Sequence, residues 1–78
     1  MRIEVDNREK QLIHKYWYAA SKEMQTQLLN TKRKTIDIES DELQDLVGYL
    51  AAECNHCRSK NLAAELNELC DRLESERE

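Results

Sequence analysis

Proline and phenylalanine are absent, glycine occurs once (Gly48), and the aromatic side chains are one Trp and three Tyr. A chain so poor in proline and glycine has neither the collagen repeat nor the make-up of Gly/Pro-rich disorder. Cysteine is sparse and odd in number, with Cys54, Cys57 and Cys70, so a disulfide scaffold is excluded. Long apolar runs are missing as well. The longest near-apolar stretch, Leu46 to Ala52, falls far short of the roughly 18 residues that a membrane helix needs. Arg2, Glu4 and Asp6 interrupt any apolar segment of a secretion signal. The expected compartment is therefore a reducing cytoplasm with free thiols, and no membrane association is expected.

The signatures of catalysis are missing too. There is no Gly-rich phosphate loop, no nucleophile elbow and no pairing of a base with a nucleophile. Gly48 falls inside a helical pattern and cradles nothing. No enzymatic activity and no cofactor are expected.

What the chain has in abundance is charge. Lys and Arg number 12 and Asp and Glu 16, for a net charge of −4 in 78 residues. The charges are segregated. Residues 1–34 carry eight basic and four acidic side chains, net +4, and residues 35–78 carry four basic and twelve acidic, net −8. Two solvated faces account for this pattern most simply. Complementary packing, within one molecule or between two, would use it.

The length allows one domain, residues 1–78. A domain of this size buries only about 60% of its unfolded surface. Below roughly 80 residues, stability often comes from a metal, disulfides or a partner chain.

Apolar periodicity gives the elements. Met1, Ile3 and Val5 alternate with Arg2 and Glu4, so residues 1–5 are extended. Asp6 and Glu9 form a capping-box pattern. Leu12, Ile13, Tyr16, Trp17, Ala20, Met24 and Leu28 then follow at spacings of three and four. This predicts one helix from Asn7 to Leu29, about 34 Å long at 1.5 Å per residue. Residues 30–34 form a basic connection. Ile36 and Ile38 mark a second extended segment, 35–38. Ser40 is the expected N-cap of a second helix. Its stripe Leu43, Val47, Leu50, Cys54, Cys57 keeps a four-three rhythm. That rhythm then slips, because the apolar set restarts at Leu62, Leu66, Leu69 and Leu73. The slip of one residue is roughly 100° of helix. A turn within residues 55–61, with Ser59 capping a third helix, accommodates it. One long kinked helix is the alternative. The acidic end, Glu74 to Glu78, is expected to fray.

The fold class expected is all-α: a long N-terminal helix packed on an antiparallel helical hairpin, three helices in all. The extended segments 1–5 and 35–38 are free to pair within or between chains. A first helix longer than either hairpin arm leaves an apolar end around Met24 to Leu29, which a homodimer or another partner would cover.

Several residues invite a functional reading. Cys54, His56 and Cys57 suggest a metal site, yet zinc wants four ligands and no second ligand pair is present. Cys70 would sit about 18 Å along the third helix from the turn. Cys54 and Cys57 continue the leucine stripe, where free cysteine packs as a small hydrophobe. Glu53-x-x-His56 matches half of a di-iron bundle motif, which needs two such elements. Lys32, Arg33 and Lys34 form a basic cluster able to meet a phosphate backbone, but no aromatic residues interleave with them and the chain is acidic, so nucleic acid is not the expected partner.

Tyr16-Trp17-Tyr18 is the most informative surface clue. Tyr16 and Trp17 fall in the apolar stripe, whereas Tyr18 points away from it, and interfaces are rich in aromatic side chains. Gly48 and Ala52, four residues apart and off the leucine stripe, would let another backbone come close. Tyr18, Met24, Leu29, Gly48 and Ala52 are thus the expected protein-contact residues. The function expected is a small non-enzymatic binding or regulatory module that self-associates. A metal protein using Cys54, Cys57 and His56, or a nucleic-acid regulator using Lys32–Lys34, is the alternative.

Overall fold

Alternation in the first residues produces a strand. In a computed structural model that describes residues 1–76, β1 (Arg2–Glu4) pairs antiparallel with β2 (Thr35–Asp37), with Ile3 opposite Ile36. Both isoleucines are buried. The ladder extends at each end: the Val5 N–H donates to the Lys34 carbonyl at 2.8 Å and the Ile38 N–H to the Met1 carbonyl at 2.8 Å. The two extended segments therefore pair within the chain. The far side of β2 is also occupied. Gln27 donates from Nε2 to the Asp37 carbonyl at 3.0 Å, and its Oε1 accepts from the Asp37 N–H at 2.7 Å.

Helix α1 (Asn7–Tyr16) opens with the capping box. The Glu9 N–H donates to Asp6 Oδ1 at 2.8 Å and the Asp6 N–H to Glu9 Oε1 at 2.9 Å. The single helix expected over Asn7–Leu29 does not form. The chain leaves helical geometry at Trp17, φ −92° and ψ 86°. It re-enters at α2 (Lys22–Leu29), capped by Ser21, whose Oγ accepts from the Met24 N–H at 3.2 Å. The break buries more than a rod would. Trp17 turns inward to 4% exposure and its indole N–H donates to Asp45 Oδ2 at 3.0 Å. Folding α2 back also brings Met24 and Leu28 into the core, so of the apolar end expected to overhang only Leu29 stays exposed. The molecule measures 30 × 26 × 20 Å, too short for the rod that was expected.

Helix α3 (Ser40–His56) and helix α4 (Lys60–Glu76) form the hairpin. Glu39, not Ser40, is the N-cap of α3, with its N–H donating to Glu42 Oε1 at 3.1 Å. The turn falls at the register slip. Ser59 caps α4, its Oγ accepting from the Leu62 N–H at 3.3 Å. The acidic end is helical to Glu76; positions 77 and 78 lie outside the described residues. The described fold is thus four helices and a two-stranded sheet, not three helices. No helix among the described residues is long and apolar enough to cross a membrane.

One core joins all the elements: Ile3 and Val5, Leu12, Ile13 and Trp17, Met24 and Leu28, Ile36 and Ile38, the α3 set Leu43, Leu46, Val47 and Leu50, and the α4 set Leu66, Leu69, Cys70 and Leu73. Three ion pairs lie around it among the described residues, Arg2–Asp37, Arg8–Glu65 and Arg72–Glu9. Each joins the first 34 residues to the rest, so part of the charge segregation is satisfied inside the molecule. Exposed pairs of this kind contribute about 0–1 kcal/mol each. Arg72 also donates to the Glu4 carbonyl at 2.6 Å, fastening α4 to β1.

Candidate functional site

The buried stripe of α3 leaves its opposite side outward. On that side Asp41, Gln44, Asp45, Gly48, Tyr49 and Ala52 line a shallow groove of about 540 Å³. Tyr18, from the connection between α1 and α2, stands 71% exposed. Its ring meets Tyr49 edge-on, with centroids 6.2 Å apart and planes at 77°. The neighbouring Trp17 is buried and holds Asp45, one of the groove residues, through its indole N–H. Asp45 thus serves the core with one oxygen and lines the groove.

Of the five expected contact residues, Tyr18, Gly48 and Ala52 are brought to this one face. Met24 is not, because the α1–α2 break turns it inward to 2% exposure; as an exposed contact residue it is corrected. Leu29 is 64% exposed at the end of α2 and does not line the groove. Gly48 is surrounded by open space, and a Cβ built there meets nothing within 4 Å.

The thiols are otherwise engaged. Cys54 Sγ donates to the Ala63 carbonyl at 3.3 Å and Cys57 Sγ to the Ser59 carbonyl at 3.4 Å. Both thus stitch the α3–α4 turn, while His56 is exposed. No group of three or more His, Cys, Asp or Glu side chains able to hold a metal occurs among the described residues. Cys54, His56 and Cys57 do not converge, and neither Glu53 nor Cys70 completes a set with them.

Cys70 lies in the core, and burial pushes its thiol up from the ordinary 9.0 to about 11, with Cys54, Glu74 and Asp71 adding to the effect. A folded-state value above the unfolded one means that this stability is whole below the unfolded value and is lost as pH climbs through the folded one. Two pH units correspond to about 2–3 kcal/mol. Urea denaturation of Cys70→Ala against the unaltered chain is expected to show a shallower alkaline loss between pH 9 and 11. Equal slopes would place the thiol in water.

The basic loop carries Lys32, Arg33 and Lys34 with all three side chains exposed. Its backbone is pinned from below. Lys10, 1% exposed, donates from Nζ to the Asn30 carbonyl at 2.7 Å and also to the Arg33 carbonyl. Asn30 is the C-cap of α2, so the ammonium also meets the negative end of that helix dipole. Burial, and then the charge of Arg33, lowers the Lys10 pKa. Sequence reasoning passed over Lys10 because a lysine reads as solvated. The signal was its position, three and seven residues before Ile13 and Trp17, on the apolar stripe itself.

Comparison with protein-family models, with curated proteins and with solved structures gives no significant match for this chain.

Proposed function

We propose that this protein is a non-enzymatic module that works by holding another protein chain against the outward face of α3. The observation that carries this reading is Gly48. A glycine in a helix interior costs about 0.5–1 kcal/mol relative to alanine. Nothing inside the molecule requires one there, since an added Cβ touches nothing within 4 Å. A bare backbone at that point suits an incoming chain. Tyr18 supports the same reading, because an aromatic ring 71% exposed at the rim of a groove resembles the large, stiff anchors of protein interfaces. The groove lining consists of two carboxylates, a carboxamide, a phenol and two positions without a functional group. That set suits adhesion more than bond chemistry.

Two substitutions test it. Gly48→Ala is expected to raise stability by about 0.5–1 kcal/mol, read as a higher melting temperature by circular dichroism. Gly48→Leu is expected to fold as well as the unaltered chain, since the space is open, yet to lose the proteins captured from the native host by the unaltered chain. Capture that is indifferent to Gly48→Leu and to Tyr18→Ala would remove the reading.

A further inference from the structure

We infer that the chain covering the α3 face is a second copy of this protein, with the two α3 helices packed antiparallel across a two-fold axis at Gly48. This rests on the contact-face reading, and four observations favour it.

The first is position. Gly48 is the midpoint of Ser40–His56, with eight residues on either side. Antiparallel copies crossing there overlap along the whole helix, and a crossing anywhere else leaves an overhang. The absent Cβ allows the backbones their closest approach at the axis itself.

The second is rhythm. Asp41, Asp45, Gly48, Ala52 and Asn55 recur at four-three-four-three spacing, and all are exposed. This spacing sets the five on one side of the helix, and all five side chains are short or absent, so a second backbone can lie close along this seam. It runs the length of α3 on the side away from Leu43, Leu46, Val47 and Leu50.

The third is charge. Helix α3 contains no Lys or Arg, and Asp41, Glu42 and Asp45 crowd its first half. His56 ends it, and Arg58 and Lys60 follow at once. Glu53 lies off the seam. An antiparallel pair sets Asp41 beside the partner's His56 and the basic residues beyond it. The two Asp41 carboxylates then lie about 21 Å apart along the axis, well past the Debye length of about 8 Å at physiological salt. A parallel pair would set Asp41 directly on Asp41. This two-fold contact pairs each acidic first turn with the partner's basic end, and the two Asp45 carboxylates, about 9 Å apart along the axis, are each held by the indole of Trp17.

The fourth is the aromatic rim. Tyr18 and Tyr49 flank the seam on one side, so the two-fold operation sets one such pair on each side of the axis.

Sedimentation equilibrium of the purified chain at physiological salt tests the inference. A monomer–dimer equilibrium is expected within the micromolar to millimolar range. Gly48→Leu, which separates the backbones, is expected to weaken it by about tenfold or more, with helicity and melting temperature unchanged or raised. His56→Glu sets a carboxylate near the partner's Asp41 and is expected to weaken the dimer. Adding Asp41→Lys to that variant is expected to restore it. Residues 41 and 56 are about 22 Å apart along one helix, so their coupling has to arise between chains. A monomer at every concentration overturns the inference. If host capture still depends on Gly48 in that case, the contact-face reading stands with a different partner, such as a cationic helix. A dimer indifferent to Gly48→Leu and to the charge exchange also overturns it.

Discussion

Trp17→Ala is expected to remove about 3–5 kcal/mol of folding stability, the range for truncating a buried large aromatic side chain. Small domains have about 5–15 kcal/mol in total, so this variant is expected to lose a large share of its stability. The effect is large because Trp17 acts at three places. Its ring is 4% exposed in the core. Its N–H binds Asp45 at 3.0 Å. Its backbone makes the bend that lets α2 fold back. Trp17→Phe separates these contributions, since it keeps most of the bulk and the bend and loses the hydrogen bond. A loss of about 1 kcal/mol is expected for that change. Urea denaturation followed by far-UV circular dichroism gives both values, and a midpoint for Trp17→Ala close to that of the unaltered chain would refute the burial.

The second large effect is expected at Lys10. Its ammonium is buried without a carboxylate, for none of the ion pairs among the described residues includes it. It is held by the carbonyls of Asn30 and Arg33 alone. Truncation leaves both carbonyls, which are part-buried, without their donor, and an unsatisfied buried group costs about 1–3 kcal/mol. Lys10→Met keeps the stem and tests this term, with an expected loss of about 2 kcal/mol. Lys10→Ala adds a cavity and is expected to lose about 3–4 kcal/mol. Replacing a buried charge by a hydrophobe often proves neutral when its partners go as well, but here they are main-chain groups and stay. Equal stability of Lys10→Met and the unaltered chain would show that water takes the place of the ammonium. The lowered Lys10 pKa has its own pH sign. Between that value and the ordinary 10.5 the unfolded chain holds the extra proton, so this group's contribution rises with pH there. Cys70 acts in the opposite direction, and comparing each variant with the unaltered chain separates the two.

The sequence discloses the parts of the fold that depend on short-range pattern. The alternation around Ile3 and Ile36 yields the paired strands. The phase slip between Cys57 and Leu62 yields the α3–α4 turn, because no straight helix buries both stripes. The break between α1 and α2 escapes the same reasoning for a physical reason. Leu12, Ile13, Trp17, Ala20, Met24 and Leu28 fit one helical stripe, so periodicity gives no warning. The local signal was Ser21, an N-cap residue followed by Glu23, but a stripe outweighs a single cap until tertiary packing is known. Met24 follows that error: exposed on a rod, buried on a folded-back helix. In the candidate site, Tyr18, Gly48 and Ala52 were legible because each departs from the apolar stripe that runs through its segment of the sequence. Asp45 was not, since its importance depends on an indole 28 residues away.

The carboxamide of Gln27 has a consequence for how copies of this chain behave when crowded. A bare ribbon edge offers a donor and an acceptor in register, which is what a stray extended segment needs to add itself and seed a fibre. At Asp37 that slot is filled by a side chain of the same molecule, donor to acceptor and acceptor to donor. That slot of the ribbon is closed to recruitment.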